Sequence, residues 1–415
     1  MATIGNFLYP KEWVTEDEET IADSIRDWAD KEVIPNRQEF DEDYENELIG
    51  PAMEKLFVEI GLQKMVWPEK YGGGGFNTPE VATTIVRVLE EIGRADPGIG
   101  YIFASTFCAL VPIVMEPHVN EDLCAEFAPI FCEAKGSKVC SLILPELGNL
   151  DGRSEDDFYK RTVHASVELK DKELVIKGNN LRAINSGGTA DLFGIVCRVE
   201  RSSSDRDISY IFTPADTKRV KRGENFLKTG LNADKNANVS FDNVRVPKKY
   251  LVWQGDDANK YLKELFSWHA LCSSALCVGS AMDVYETVKR WGTDRVIRYN
   301  EILKENPMVA AVLADVAKDI LSSRIQTHNL ARIIAKSETH GDELLAISNA
   351  IGMSVTESTL HAINRAIELM ASEGYAREGD VEKHWRDVRM IRNMMGGKVL
   401  MQMDVARWFY ECKTL

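Results

Sequence analysis

Two switches of hydrophobic period constrain this chain more than any other feature. Up to about Lys138 the apolar residues recur at helical spacing, and from there they alternate with polar ones. From about Asn259 the helical spacing returns and persists to the end. Side chains repeat every 3.6 residues around a helix and every two along a strand, so neither pattern buries a continuous face in the other conformation. The order predicts an α+β multidomain chain: an N-terminal helical domain over 1–136, a central antiparallel β-domain over 137–255 and a C-terminal four-helix bundle over 256–415.

Local signals fill in this outline. Thr15 followed by Glu18 is a capping box, Ile21, Ile25 and Trp28 continue at helical spacing, and Pro35 ends the segment. A second helix over about 52–60 closes at Gly61, and others are expected over 81–92, 99–114 and 121–134. Between them lie Gly72 to Gly75. No strand precedes these glycines and no Lys-Ser/Thr pair follows, which predicts a flexible turn rather than a phosphate loop. In the β region Val163, Ala165, Val167 and Leu169 alternate up to a turn at Asp171-Lys172, and Leu174 and Ile176 form the returning arm. Further strands are expected over 192–199, 209–212 and 238–246. Long helices follow over 259–292, 308–338, 341–372 and 381–411, the last interrupted at Gly396-Gly397.

The formal net charge of −15 disfavours nucleic acid and anionic membrane as partners. The eight cysteines are scattered with no CxxC pair and no histidine cluster, which predicts no metal site and a reducing compartment. The first residues carry no basic segment followed by an apolar run, and no apolar stretch reaches the length of a membrane span. The expected location is cytoplasmic.

Five stretches, VWPEKYGGGGFN (66–77), LRAINSGGTADLFGIVCRV (181–199), KTGLNADKNANVSFDNVRVP (228–247), SALCVGSAMD (274–283) and SEGYAREGDVEKHWRDVRM (372–390), resemble the acyl-CoA dehydrogenase family in type and order. The resemblance covers nearly the whole chain. It implies a homo-oligomer, tetramer or dimer, with FAD between the β-domain and the bundle and a neighbouring subunit completing the cofactor site. It further implies an acyl-CoA substrate, loss of an α-proton to a base, hydride transfer to the flavin and an electron-transfer flavoprotein as acceptor.

The resemblance also assigns positions. Leu144 and Glu146 fall in the flavin loop, where Pro145 replaces a Thr and so lacks both hydroxyl and backbone N–H. Where the family has Trp-Ile-Thr-Asn-Gly-Gly, this chain has Ala183-Ile184-Asn185-Ser186-Gly187-Gly188. A large ring has become Ala183, opening a cavity unless something fills it, while the amide of Asn185 can still donate to the flavin. Arg295 and Arg298 match the element that reaches a neighbour's FAD, and Gly397 also falls at the cofactor. The glycine pair of the dinucleotide segment is replaced by Ala371-Ser372, with Glu368 and Glu373 adding charge that opposes a pyrophosphate.

The family's catalytic Glu falls on Met395, which cannot take a proton. Met395 and Gly396 are left as substrate contacts, through a backbone N–H that can polarise the thioester carbonyl. Two residues are candidates for a relocated base. Asp96 precedes the helix lining the acyl cavity, and capping that helix is its alternative role. His269 stands where some long- and branched-chain members carry their Glu, with Ala270 replacing an Arg beside it; a packed core histidine is the alternative. Tyr101 would face the same cavity and orient the acyl group, and Arg386-Asp387 would buttress the turn. Two functions follow from this pattern. One is an FAD-dependent dehydrogenase forming a C=C bond in a cyclic or branched acyl-CoA; the other is a non-catalytic partner subunit of a heteromeric acyl-CoA dehydrogenase.

Overall fold

The computed structural model describes residues 14–44, 47–147, 161–202, 207–394 and 397–412. Helices α1 (Glu16–Trp28), α2 (Arg37–Glu42), α3 (Ile49–Glu54), α4 (Val81–Ala95), α5 (Pro97–Val114) and α6 (Glu121–Cys132) come first. The expected capping box is formed: the Thr15 side chain accepts from the Glu18 N–H, and Glu18 accepts from the Thr15 N–H. The four glycines make a tight turn. A Cβ on Gly73 would lie 1.9 Å from the Trp67 carbonyl oxygen, and the Gly74 and Gly75 N–H groups donate to Lys64 and Trp67 carbonyls. Those donors are used by the chain itself, so none is left to cradle a phosphate.

The strands that follow are β1 (Cys140–Ile143), β2 (Glu146–Leu147), β3 (Arg161–Thr162), β4 (Ser166–Leu169), β5 (Glu173–Arg182), β6 (Leu192–Val199), β7 (Ile208–Pro214), β8 (Val220–Arg222), β9 (Asn238–Pro247) and β10 (Leu251–Gln254), and all but β2 and β3 form one sheet. Its order is β10-β7-β6-β4-β5-β9-β8, with β2 and β3 pairing apart from it. The sheet is mixed rather than purely antiparallel: β1 and β4 both run parallel to β6, on successive halves of one edge. Hairpin turns between 163 and 176 made the antiparallel pairs legible, whereas parallel partners are joined by long excursions that leave no local signal.

Five helices follow: α7 (Asp256–Asp294), α8 (Pro307–Lys336), α9 (Gly341–Met370), the short α10 (Ser372–Tyr375) and α11 (Val381–Ile391). Then α12 (Gly397–Phe409) opens on Gly397 at φ +66°. The expected interruption between α11 and α12 is present.

Two helices form the core. Every residue of α5 is buried, as is the run of α7 from Leu265 to Val284. Both contain stretches long and apolar enough to cross a membrane, contrary to the expectation from sequence, and those stretches are wholly buried within the protein. Missing side chains allow the close packing. A Cβ on Gly279 of α7 would sit 2.0 Å from the Glu90 carbonyl oxygen of α4, and one on Gly93 would sit 2.5 Å from the Leu276 carbonyl oxygen. Beside this crossing the buried Glu90 carboxylate takes Arg324 through both oxygens (2.9 and 2.8 Å) and also meets Arg87 and His328. A carboxylate this deep is tolerated because it is paired on every side.

Gly279→Val should push α4 off α7 and cost about 3 kcal/mol by overpacking. Gly352→Ala on α9 meets the Ala270 Cβ at 3.6 Å and the Ser274 Oγ at 4.0 Å, both ordinary contacts, and should be neutral or stabilising by up to about 1 kcal/mol. Urea midpoints of the two variants check the contrast.

Candidate functional site

The residues expected at the site separate into three groups. The first joins α5 to α7. Tyr101 points from the first turns of α5, and its hydroxyl lies 2.9 Å from His269 Nε2, the rings meeting edge-on at 5.7 Å. Ser273, one turn along α7, is 3.3 Å from His269 Nδ1. Burial lowers the His269 pKa to about 4, so the imidazole is neutral near pH 7. Burial, with a smaller contribution from the Asp234 charge, holds the Tyr101 hydroxyl well above its usual value. The fold thus brings the expected acyl-cavity residue and one expected base into direct contact.

The space beside them is closed. Arg161, Phe266, His269, Asn349 and Met401 line a cavity of only about 10 Å³. Arg161, from β3, lies 5.0 Å over the Phe266 ring and reaches Asp404 of α12 at 2.7 and 3.3 Å. Asn349 and Arg407 donate to the same carboxylate at 2.9 and 2.8 Å. Neither Arg161 nor Asp404 stood out in the sequence, because no motif or spacing links residues so far apart. Gly397 lies in the turn that leads into this helix, and Met395 and Gly396 lie outside the described residues.

The second group is built around Asp96, whose carboxylate takes its alternative role as a helix cap and also an ion pair. Its Oδ1 accepts from the Ile99 N–H at 3.0 Å, capping α5, and its Oδ2 is 2.8 Å from Lys383 Nζ. Lys383 also meets Asp387 at 2.7 Å, and Asp387 accepts from the Leu231 N–H at 2.6 Å. Burial pushes the Asp96 carboxyl up, but Lys383 outweighs it and holds the pKa below the ordinary value. Arg386 donates to the Thr229 carbonyl at 2.6 Å and to Asp41 at 2.8 Å, so Arg386 and Asp387 together clamp the loop around Thr229–Leu231 onto α11.

The third group consists of positions that the resemblance assigns to the flavin. Asn185 Oδ1 accepts from the Leu142 N–H at 3.1 Å, and its Nδ2 donates to the Cys140 carbonyl at 3.2 Å. Ser186 gives both its N–H and its hydroxyl to Asp234, at 2.6 and 2.7 Å. The cavity expected at Ala183 is filled by the loop itself. Asn236 donates to the Ala183 carbonyl at 2.8 Å, and a Cβ on Gly187 would lie 2.9 Å from the Ala183 Cβ. Leu144 is buried, and Glu146 pairs with Thr162 in the β2–β3 ladder, its carboxylate exposed 3.9 Å from His164. Arg298 is exposed in the turn after α7. Arg295 pairs with Glu373 at 2.7 Å and lies over the Trp291 ring at 5.0 Å, on one side of an open groove of about 610 Å³. Of the groups assigned to the flavin, the Asn185 amide and the Ser186 hydroxyl are engaged within the chain and Arg295 is paired with Glu373, while Arg298 is exposed.

Two tests follow. Asp96→Asn keeps the helix cap but leaves Lys383 short of one buried carboxylate. It should cost about 3 kcal/mol, measured by urea denaturation; unchanged stability would contradict the structural role. For His269, the unfolded imidazole titrates near 6.5 and the folded one near 4. Between those values only the unfolded chain binds the proton. The contribution is complete above about pH 6.5 and lost towards pH 4, on the order of 3 kcal/mol in all. The stability slope between pH 6.5 and 4 should therefore be shallower in His269→Gln than in the wild type.

Comparison with known proteins gives a consistent outcome. Residues 15–131 match the family model described as acyl-CoA dehydrogenase, N-terminal domain, and residues 259–410 match the C-terminal domain of the same family. The chain is 23% identical to the cyclohex-1-ene-1-carbonyl-CoA dehydrogenase of Geobacter metallireducens, over 95% of its own length and 98% of the relative's. In fold it is similar to a glutaryl-CoA dehydrogenase from Mycobacterium smegmatis in complex with FADH2 (TM-score 0.78, 16% identity, 98% of each chain). A chain in the structure of the electron transferring flavoprotein of Acidaminococcus fermentans is also similar (TM-score 0.79, 18% identity, 95% of this chain and 98% of that one).

Proposed function

The chain belongs to the acyl-CoA dehydrogenase family, and from that premise we propose that it serves acyl-CoA dehydrogenation as the non-catalytic subunit of a heteromer. A related chain in that assembly supplies the base and the flavin contacts. One observation carries this reading: the polar side chains expected to do chemistry are already engaged within the chain. Asp96 is held by Lys383 and the Ile99 N–H, and Asn185 by the β1 backbone. Ser186 is held by Asp234, and the cavity next to His269 measures only about 10 Å³. A dehydrogenase needs its base free to face the substrate and its flavin contacts free to face the ring.

The surface supports the same reading. Val399, Trp408 and Phe409 on α12, with Leu321 and Ile325 on α8, are between 39% and 56% exposed. Apolar side chains of this size left open on two bundle helices suit burial against another chain. The groove at Trp291 and Arg295 is the part of this subunit that would face the partner's cofactor, and an electron-transfer flavoprotein would take electrons from the partner's flavin.

A second reading is favoured by the Tyr101–His269 contact. In it the chain is itself a dehydrogenase for a cyclic or branched acyl-CoA, with His269, neutral near pH 7, as the base and Tyr101 orienting the acyl group. The relative named for a cyclohexene carboxyl thioester points to that substrate class.

Expression with and without a related dehydrogenase chain separates the two. The chain alone should purify without flavin absorbance and should not react with cyclohex-1-ene-1-carbonyl-CoA. The co-expressed complex should be yellow, and its turnover should be unchanged by His269→Gln. If the chain alone is yellow, is bleached anaerobically by the thioester and loses about 10²-fold or more in rate with His269→Gln, the second reading replaces the first.

A further inference from the structure

A neutral imidazole carries one hydrogen, on Nδ1 or on Nε2, and the groups around the ring decide which. His269, with its pKa lowered to about 4, is such a ring near pH 7, and each of its nitrogens has a partner. Nε2 lies 2.9 Å from the Tyr101 hydroxyl of α5, and Nδ1 lies 3.3 Å from the Ser273 hydroxyl, one turn along α7. Both partners are hydroxyls, able to donate or to accept, so two arrangements result. In one, Tyr101 donates to Nε2 and Nδ1–H donates to Ser273. In the other, Ser273 donates to Nδ1 and Nε2–H donates to Tyr101.

The surroundings separate the two. Tyr101 is 0% exposed, and among the described residues its hydroxyl has one hydrogen-bond partner, His269 Nε2. Ser105, one turn along α5, has a smaller effect on Tyr101 than burial or the Asp234 charge, and its own buried hydroxyl makes no hydrogen bond among the described residues. With the hydrogen on Nε2, the phenol O–H would be buried without an acceptor, and an unsatisfied buried donor is costly. Ser273 is under no such constraint, being 7% exposed. While its oxygen accepts from Nδ1, its own hydrogen can turn to water or to the carbonyl one turn back in its helix. The phenol is also the more acidic of the two hydroxyls, and it makes the shorter of the two contacts. Burial alone lowers the His269 pKa, so no charged neighbour biases the choice.

We propose that Ser273 is a positioning residue: it accepts the hydrogen of His269 Nδ1 and so holds the imidazole with its lone pair on Nε2, facing Tyr101. In the Ser-His-Asp arrangement a carboxylate orients the histidine and adds a charge beside it. A hydroxyl in that place orients the ring and leaves its surroundings neutral. A proton taken up by His269 enters at Nε2, from the Tyr101 side. That use of the ring rests on the dehydrogenase reading above; the tautomer itself holds under either reading.

Nitrogen and proton NMR of the full-length protein, isotope-labelled at histidine, tests the assignment, with the His269 signals identified by their loss in His269→Gln. Near pH 7 the wild type should carry the hydrogen on Nδ1 and show an unprotonated Nε2. Burial should slow exchange of the Nδ1 hydrogen, and its bond to Ser273 should shift its signal downfield. Ser273→Ala should abolish that downfield shift, and Ser273→Thr, which keeps the hydroxyl, should retain it. A hydrogen found on Nε2 in the wild type overturns the proposal, and that measurement needs no variant of Ser273 to fold. A downfield shift that survives in Ser273→Ala also overturns it, since another group would then be the acceptor. Turnover has no part in these spectra, so an inert chain refutes the dehydrogenase reading and still leaves the tautomer decided.

Discussion

The buried ammonium of Lys383 holds the parts of this molecule that surround the acyl region. It lies between Asp96 and Asp387 at 2.8 and 2.7 Å, with Asp41 at 3.9 Å. Through them it joins the start of α5, helix α11 and helix α2, while Asp387 carries the link on to the loop at Leu231. An ammonium this deep is admissible only because it is surrounded by carboxylates, and each carboxylate is admissible only because the ammonium is there. No member can leave without stranding the others. That mutual dependence ties Asp96 into the core, with one oxygen on the Ile99 N–H and the other on Lys383.

The same logic extends along the site. Arg161 reaches across from β3 to Asp404, Asn185 turns its amide back onto β1, and Ser186 turns to Asp234. At Asn185 and Ser186 the changes from the family pattern are matched by hydrogen-bond partners inside the chain. His269 and Tyr101 differ from the others. They satisfy each other, and they are neutral, so they place no charge in the way of an acyl group.

Much of the architecture was legible because it is local. The Thr15–Glu18 capping box, the alternation from Val163 to Leu169, the turn at Asp171-Lys172 and the break before Gly397 each depend on residues a few positions apart. The parallel pairing of β1 and β4 with β6 was not legible, since those strands meet only through long connections. At the site, Tyr101 and His269, each singled out from the sequence, prove to be in direct contact. Lys383 and Arg161 were missed, because a single basic residue in a charged stretch gives no sign of carboxylates brought to it from other helices. Asp96 was visible but ambiguous: the same residue type caps helices and takes protons, and only its partner decides between the roles.

By itself, the sequence determined the succession of helices, sheet and bundle, the family, and the loss of a titratable group at Met395. These depend on periodicity, motif order and residue identity, which survive without coordinates. Tertiary structure decided which carboxylates are paired and which polar side chains are already engaged within the chain. Those are questions of distance between residues remote in the chain, and the energies of burial and charge pairing that answer them exist only once the chain has folded.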